Sequence, residues 1–143
     1  MAKTLYTAHA TVTGGRNGKG TTSNGALELT LRRPVEMGGE GGGTNPEELF
    51  AVGYAACFEG ALGAVARRLK IEEGEVTIHS QVSLTPTGTG GFFLSVVLDV
   101  SIPGVDDTDT KIALIKGAHE VCPYSNATRG NIEVELLLDG EKI

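Results

Sequence analysis

Everything else in the chain has to be arranged around residues 44–70, TNPEELFAVGYAACFEGALGAVARRLK. Asn45 is a good N-cap, Pro46 suits the first helical position, and Glu48 completes an Asn-x-x-Glu capping box. The predicted helix runs to Leu69, and Arg67, Arg68 and Lys70 close it, suiting the negative end of its dipole. Between Leu49 and Phe58 almost no position is polar, so this part is expected to be buried on most sides. That apolar stretch is too short to span a bilayer. A helix of this kind needs other elements to cover it.

The flanking sequence supplies them. Leu5 to Thr13 alternates like a strand and ends in the turn signal GGRNGKG, and ALELTL (26–31) puts Leu27, Leu29 and Leu31 on one strand face. Between these and the helix lies RPVEMGGEGGGTNP, a glycine-dense stretch that reads as a flexible surface loop. A phosphate-binding reading of it fails. The Walker lysine is missing, and Glu47 and Glu48 occupy the first helical turn where an anion would sit. After the helix, Val76, Ile78, Val82 and Leu84 share one face, and Phe92, Leu94, Val96, Leu98 and Val100 share another, joined by the hairpin signal TPTGTGG. DDTDT opens a second predicted helix, Thr108 to Val121, and a final strand from Ile132 to Leu138 ends the domain. The order βββ-α-ββ-α-β is α+β, with antiparallel sheets packed on the long central helix and the second helix.

The totals agree with one globular domain spanning residues 1–143. Apolar residues are 40% and charged residues 21%, and the formal charge is -6, which disfavours nucleic acid and anionic membranes as partners. MAKTLYTAHATVTGG carries no apolar leader segment, so a cytoplasmic location is expected. There, two cysteines are thiols, ligands or catalysts rather than a structural staple.

The cysteines are Cys57, inside the apolar helix, and Cys122, in EVCPYSNATRGNIEV (120–134). Neither they nor His9, His79 and His119 show metal-ligand spacing, so no metal site is expected. Cys57 has small neighbours on its helix face and could be an inert core residue. To be reactive when buried it needs a cation, because burial raises a thiol pKa. Arg16, in the GGRNG turn, is the candidate cation, and Glu47 is its candidate carboxylate. Glu47 and Cys57 are ten residues apart, roughly 15 Å along a straight helix and about 80° apart around it. One arginine meets both only if the helix bends near Gly53 or a second subunit contributes. We expect an intertwined homodimer, since a mostly apolar helix needs covering on all sides. Pro123 pushes Cys122 out of helical geometry, to a place where rearrangement is cheap. Whether the two thiols pair is left open by the residues alone.

The segments TNPEELFAVGYAACF and VCPYSNATRGNI resemble the two signature regions of the organic hydroperoxide resistance (Ohr) branch of the OsmC/Ohr family, and GGRNG resembles its arginine loop. The likeness covers essentially the whole chain. It implies an intertwined dimeric α+β fold and a thiol-dependent peroxidase that needs no metal, haem or other bound cofactor. By motif position, Cys57 is the peroxidatic cysteine, Cys122 the resolving one, Arg16 the activating cation and Glu47 its partner. Lipoylated proteins or dihydrolipoamide are the implied reductants. Apolar residues near the thiol, Phe50, Tyr54 and Phe58, are expected to line an alkyl-tail site. The rival readings are an OsmC-type peroxidase of broader specificity and a non-enzymatic redox sensor or binding domain.

Overall fold

The computed structural model describes residues 2–143 and divides into two compact units, Met1–Leu49 and Phe50–Ile143.

The first unit is a three-stranded antiparallel meander, β1 (Ala10–Thr13), β2 (Lys19–Thr22) and β3 (Glu28–Thr30). The predicted strand from Leu5 forms only from Ala10 onward; Leu5 and Tyr6 are 97% and 78% exposed and lie in no strand. β2 begins inside what reads as a turn. The reversal before it is a single 3-10 turn, Gly15–Asn17, closed by Asn17 N–H donating to the Gly14 carbonyl at 3.1 Å. Gly18 is obligatory there, because a Cβ would sit 1.8 Å from the Thr13 carbonyl oxygen. The glycine-dense stretch is not the loose loop its composition suggests. Gly39 and Gly41 N–H groups donate to the Pro34 and Arg33 carbonyls, and Leu31 bridges to Thr44. A Cβ on Gly39 would lie 2.2 Å from the Arg33 carbonyl oxygen, so close backbone packing explains glycine there.

α1 (Pro46–Leu69) begins in this unit. Glu48 N–H donates to Asn45 Oδ1 at 2.8 Å, the expected cap. The reciprocal half of the capping box is replaced: the Glu48 carboxylate accepts from the Thr44 hydroxyl at 2.8 Å instead. At its far end α1 closes with paired bonds from Lys70 N–H to Arg67 O and from Ile71 N–H to Ala66 O. That is a Schellman motif, with Lys70 in the left-handed region at φ 59°.

The second unit carries the core. Tyr54, Phe58, Leu62 and Val65 of α1 pack with Val96, Leu98 and Val100 of β5 (Phe92–Ser101) and with Leu114, Ile115 and Ala118 of α2 (Thr108–Val121). Each large side chain fully buried here contributes about 1.5–3 kcal/mol. β4 (Thr77–Pro86) pairs antiparallel with β5 as predicted. α2 begins where predicted, with Thr110 N–H and hydroxyl donating to Asp107. Two features were not anticipated. A short helix α3 (Pro123–Thr128) follows α2. Because both helices form the crossover, β6 (Val134–Leu138) runs parallel to β5 within an otherwise antiparallel sheet. β6 then turns through Asp139–Gly140, both at positive φ, into β7 (Glu141–Lys142), a two-residue hairpin that DG in the sequence signals.

By length and composition α1 as a whole is apolar enough to cross a membrane, more than the Leu49–Phe58 run alone suggested, and 33% of its most apolar window is buried. Its buried face belongs to the core. Val52, Ala56, Gly60 and Ala64, every fourth residue, form an exposed row, with Val52 71% exposed.

Candidate active site

The second unit brings the two cysteines together through one elbow. Cys122 is at once the C-cap of α2 and the N-cap of α3, at φ −63° and ψ 125°. Its N–H donates to the Ala118 carbonyl at 2.8 Å, and its carbonyl accepts from Asn126 N–H at 2.9 Å. The extended ψ follows from Pro123, which excludes helical geometry in the residue before it and is itself well suited to begin a helix. The elbow turns the fully buried Cys122 side chain toward α1. Its Sγ lies 3.5 Å from Sγ of the half-buried Cys57, and both thiols are free.

Further contacts join the same two segments. Tyr54, three residues before Cys57, hydrogen-bonds through its hydroxyl to Ser125 Oγ at 2.8 Å and Thr128 Oγ1 at 3.1 Å. Ser125, three residues after Cys122, also bonds His119 Nδ1 at 2.9 Å. Tyr124 lies against Gly53, where a Cβ would be 3.1 Å from its hydroxyl oxygen, and stacks on Phe50 with ring centroids 5.8 Å apart. The sequence reading missed Tyr124, Ser125 and His119 as site residues. Pro123 placed just past a predicted helix was the available signal, since proline is favoured at the first position of a new one.

Within this unit burial pushes the Cys57 thiol above its ordinary pKa. The backbone N–H of Tyr124 draws it down, and the neighbouring Cys122 thiol pushes it up again. Burial, with the Arg129 charge adding to it, holds His119 below its ordinary value.

An apolar groove of about 640 Å³ lies beside Tyr124, lined by Phe50, Phe92, Phe93, Leu94, Ile132 and the ends of Thr128 and Asn131. Of the three residues expected to line an alkyl site, Phe50 does so. Tyr54 and Phe58 are fully buried core side chains and line no part of this groove. Phe92 and Phe93, at the end of the β4–β5 hairpin, line it instead.

The other two candidates meet in the first unit. Arg16 holds Glu47 through two parallel bonds, Nη1 to Oε2 and Nη2 to Oε1, both 2.8 Å. The bidentate bond raises the Arg16 pKa and holds the Glu47 carboxyl below its usual range, so both are charged at neutral pH. Glu48 takes no part, being engaged by Thr44. Among the described residues no group of three or more His, Cys, Asp or Glu side chains is disposed to hold a metal ion.

The OsmC-like protein family model matches residues 39–137. An organic hydroperoxide resistance protein from Xanthomonas axonopodis pv. citri is 54% identical over 138 residues, 95% of this chain and 96% of that one. The chain belongs to the OsmC/Ohr family. Its fold is that of solved Ohr structures. A Legionella pneumophila organic hydroperoxide resistance protein superposes with a TM-score of 0.90 at 52% identity, covering 95% of this chain and 98% of that one. A Vibrio cholerae protein assigned to organic hydroperoxide resistance, with captopril in one of its active sites, gives 0.93 at 47% identity over 99% and 96%. The α+β architecture expected of an OsmC/Ohr chain is therefore the one observed.

Proposed function

We propose that this OsmC/Ohr chain is a cysteine-based peroxidase that reduces organic hydroperoxides to alcohols. The observation that carries the reading is the 3.5 Å approach of two free sulfurs, one half-buried and one buried, beside an apolar groove. A disulfide needs the sulfurs about 1.5 Å closer, a side-chain adjustment rather than a refolding. Relatives at 54% identity carry the name organic hydroperoxide resistance protein, which supports a role in peroxide detoxification.

The Cys57 thiolate attacks the terminal peroxide oxygen and the O–O bond breaks. The departing alkoxide takes a proton from water and leaves as the alcohol, and Cys57 becomes a sulfenic acid. The Cys122 sulfur then attacks the Cys57 sulfur. The sulfenic oxygen leaves with the Cys122 proton as water, giving the Cys57–Cys122 disulfide. A dithiol of the lipoyl type, which the family resemblance implies, supplies two electrons and two protons by exchange. No bound cofactor enters this cycle.

Burial alone keeps Cys57 protonated, so turnover at neutral pH calls for a cation. Arg16 is that cation in this reading, stabilising the thiolate and the charge that develops on the peroxide, with Glu47 orienting it. Glu47 and Cys57 stand on the one helix α1, ten residues apart. In this reading the protein works as a cytoplasmic homodimer whose second subunit supplies the guanidinium across the interface. The exposed α1 row and the exposed Leu5 and Tyr6 support that assembly.

Thiol titration before and after one equivalent of cumene hydroperoxide tests the reading. Two thiols are expected to disappear per chain. Cys57→Ser abolishes turnover, and Cys122→Ser consumes about one equivalent and stops. Full multiple turnover by Cys57→Ser would refute the assignment. The elevated Cys57 pKa favours a second reading, a slow redox switch; stopped-flow turnover with dihydrolipoamide against glutathione and thioredoxin separates the two.

A further inference from the structure

We propose that the buried Tyr54–Ser125–His119 network is a register lock that sets the reach of Cys122 to Cys57. The inference deepens the peroxidase reading above and rests on it for its biological purpose, though its geometry does not.

The argument starts from spacing. Cys57 and Tyr54 are one helical turn apart on α1; Cys122 and Ser125 are three residues apart across the elbow into α3. The 3.5 Å sulfur contact and the 2.8 Å Tyr54–Ser125 bond are thus two rungs between the same segments, running in opposite directions. A slide of α3 along α1 that lengthens one rung lengthens the other. The sulfur rung has little intrinsic hold in the reduced protein, because a thiol is a weak donor and a weak acceptor. The oxygen rung is anchored three ways. Ser125 Oγ bonds both Tyr54 and His119, and Thr128 bonds Tyr54 and the Ser125 carbonyl. Tyr54 and Ser125 are fully buried and Thr128 nearly so, and breaking such bonds leaves polar groups stranded out of water. Arg129 adds an outer brace, donating to the His119 carbonyl and to Asn126 Oδ1.

The chemical consequence lies in the competition at oxidised Cys57. A sulfenic acid either condenses with Cys122 or meets a second organic hydroperoxide and becomes sulfinic acid irreversibly. Condensation is intramolecular, and its rate depends steeply on alignment; a misplacement of about 1 Å can cost on the order of a hundredfold. Ser125, His119 and Tyr54 act through the sulfurs' placement and are positioning residues.

The test uses closure itself, first without peroxide. Reduced protein is treated with oxidised glutathione. Cys57 breaks its S–S bond, forming a mixed disulfide and releasing one glutathione thiolate, and Cys122 then displaces the second, forming the Cys57–Cys122 bond. Ser125→Ala removes one oxygen atom at the shared node. It is expected to leave the first step unchanged and slow the second about tenfold or more. After excess cumene hydroperoxide, mass spectrometry is expected to show a larger Cys57 sulfinic fraction in this variant. His119→Leu should behave likewise, while His119→Asn, which restores a polar atom near the Nδ1 position, should recover most of the closure rate. Closure by Ser125→Ala within twofold of the parent, or equal closure by the two His119 variants, overturns the lock. Failure of the parent thiols to react with hydroperoxide would strike the peroxidase reading alone, since glutathione-driven closure still decides the lock.

Discussion

In residues 50–143 the thiols stand on a core: Cys122, Tyr54 and Ser125 are fully buried, and three elements converge on them. In residues 1–49 Arg16 stands on backbone geometry: a glycine turn, a tightly bonded loop and a helix first turn, with Leu31 the one hydrophobic side chain there that is buried among the described residues. Val12, Val35 and Met37 of that unit are exposed. So small a core cannot repay the entropy of ordering 49 residues. The contrast indicates a division of labour. One unit fixes where the sulfurs are, and the other presents a charged clamp whose own stability must come from something further, which in the proposed reading is a second copy of the chain.

The largest expected effect falls on the clamp. Arg16→Gln removes the charge and the fork while keeping most of the side-chain length. The rate of Cys57 oxidation by cumene hydroperoxide at pH 7 should fall by about a hundredfold. Glu47→Gln should lower it less, since the cation remains but loses its bidentate partner. Both variants should slow the attack of Cys57 on oxidised glutathione but keep the parent rate of the second step, Cys122 displacing glutathione from the mixed disulfide, because the sulfur rung belongs to the other unit. An unchanged peroxide rate in Arg16→Gln would break the comparison outright.

A second expectation concerns the exposed row on α1. Light scattering should give twice the chain mass, and Val52→Asp or Ala56→Glu should convert it to one. Hydrogen exchange at β1–β3 should then accelerate far more than at β5, because the second unit keeps a buried core of its own and the first has almost none. A parent protein that is monomeric and fully active when dilute defeats this account.

pH offers a smaller way to tell the units apart. The lowered His119 pKa means the unfolded chain binds the proton first as pH falls below the ordinary value of 6.5. Stability should therefore be level above 6.5 and fall below it, until the folded His119 also protonates. The lowered Glu47 pKa acts further down. Its contribution is present above the ordinary 4.5 and is lost only as pH drops through the depressed folded value. His119→Asn should remove the first decline and leave the second, measured by urea midpoints across pH 3–8.

Legibility followed the same division. α1 and α2 could be read from capping and periodicity, because Asn45, Asp107 and the apolar spacing act locally. α3 and the parallel β5–β6 pair could not be, since Pro123 reads first as a stop and strand direction depends on where a crossover lands. Arg16 and Glu47 were found by chemical need and family likeness. The side-chain fork between them spans 31 residues of sequence and no periodicity predicts it. The glycine loop misled because composition does not distinguish glycine chosen for freedom from glycine chosen for close packing.

That last distinction yields the mildest prediction. The first unit places glycine at every left-handed position, Gly14, Gly15, Gly25, Gly38, Gly41 and Gly42, whereas the second puts Lys70 and Asp139 in that region. Asp139 has a reason, because aspartate tolerates the region in a two-residue hairpin. Lys70 has less: it is exposed, and its backbone N–H already caps α1 as a glycine's would. A left-handed non-glycine residue costs roughly 1–2 kcal/mol, and glycine gives back about 0.5–1 kcal/mol through the freer unfolded chain. Lys70→Gly should therefore stabilise the protein by about 0.5–1 kcal/mol, a rise in Tm of roughly 1–4 °C. Peroxidase rates and disulfide closure should not move, since Lys70 follows the last residue of α1, more than three turns from Cys57. A destabilised Lys70→Gly would mean the lysine ammonium contributes more to the negative helix end than the strain removes.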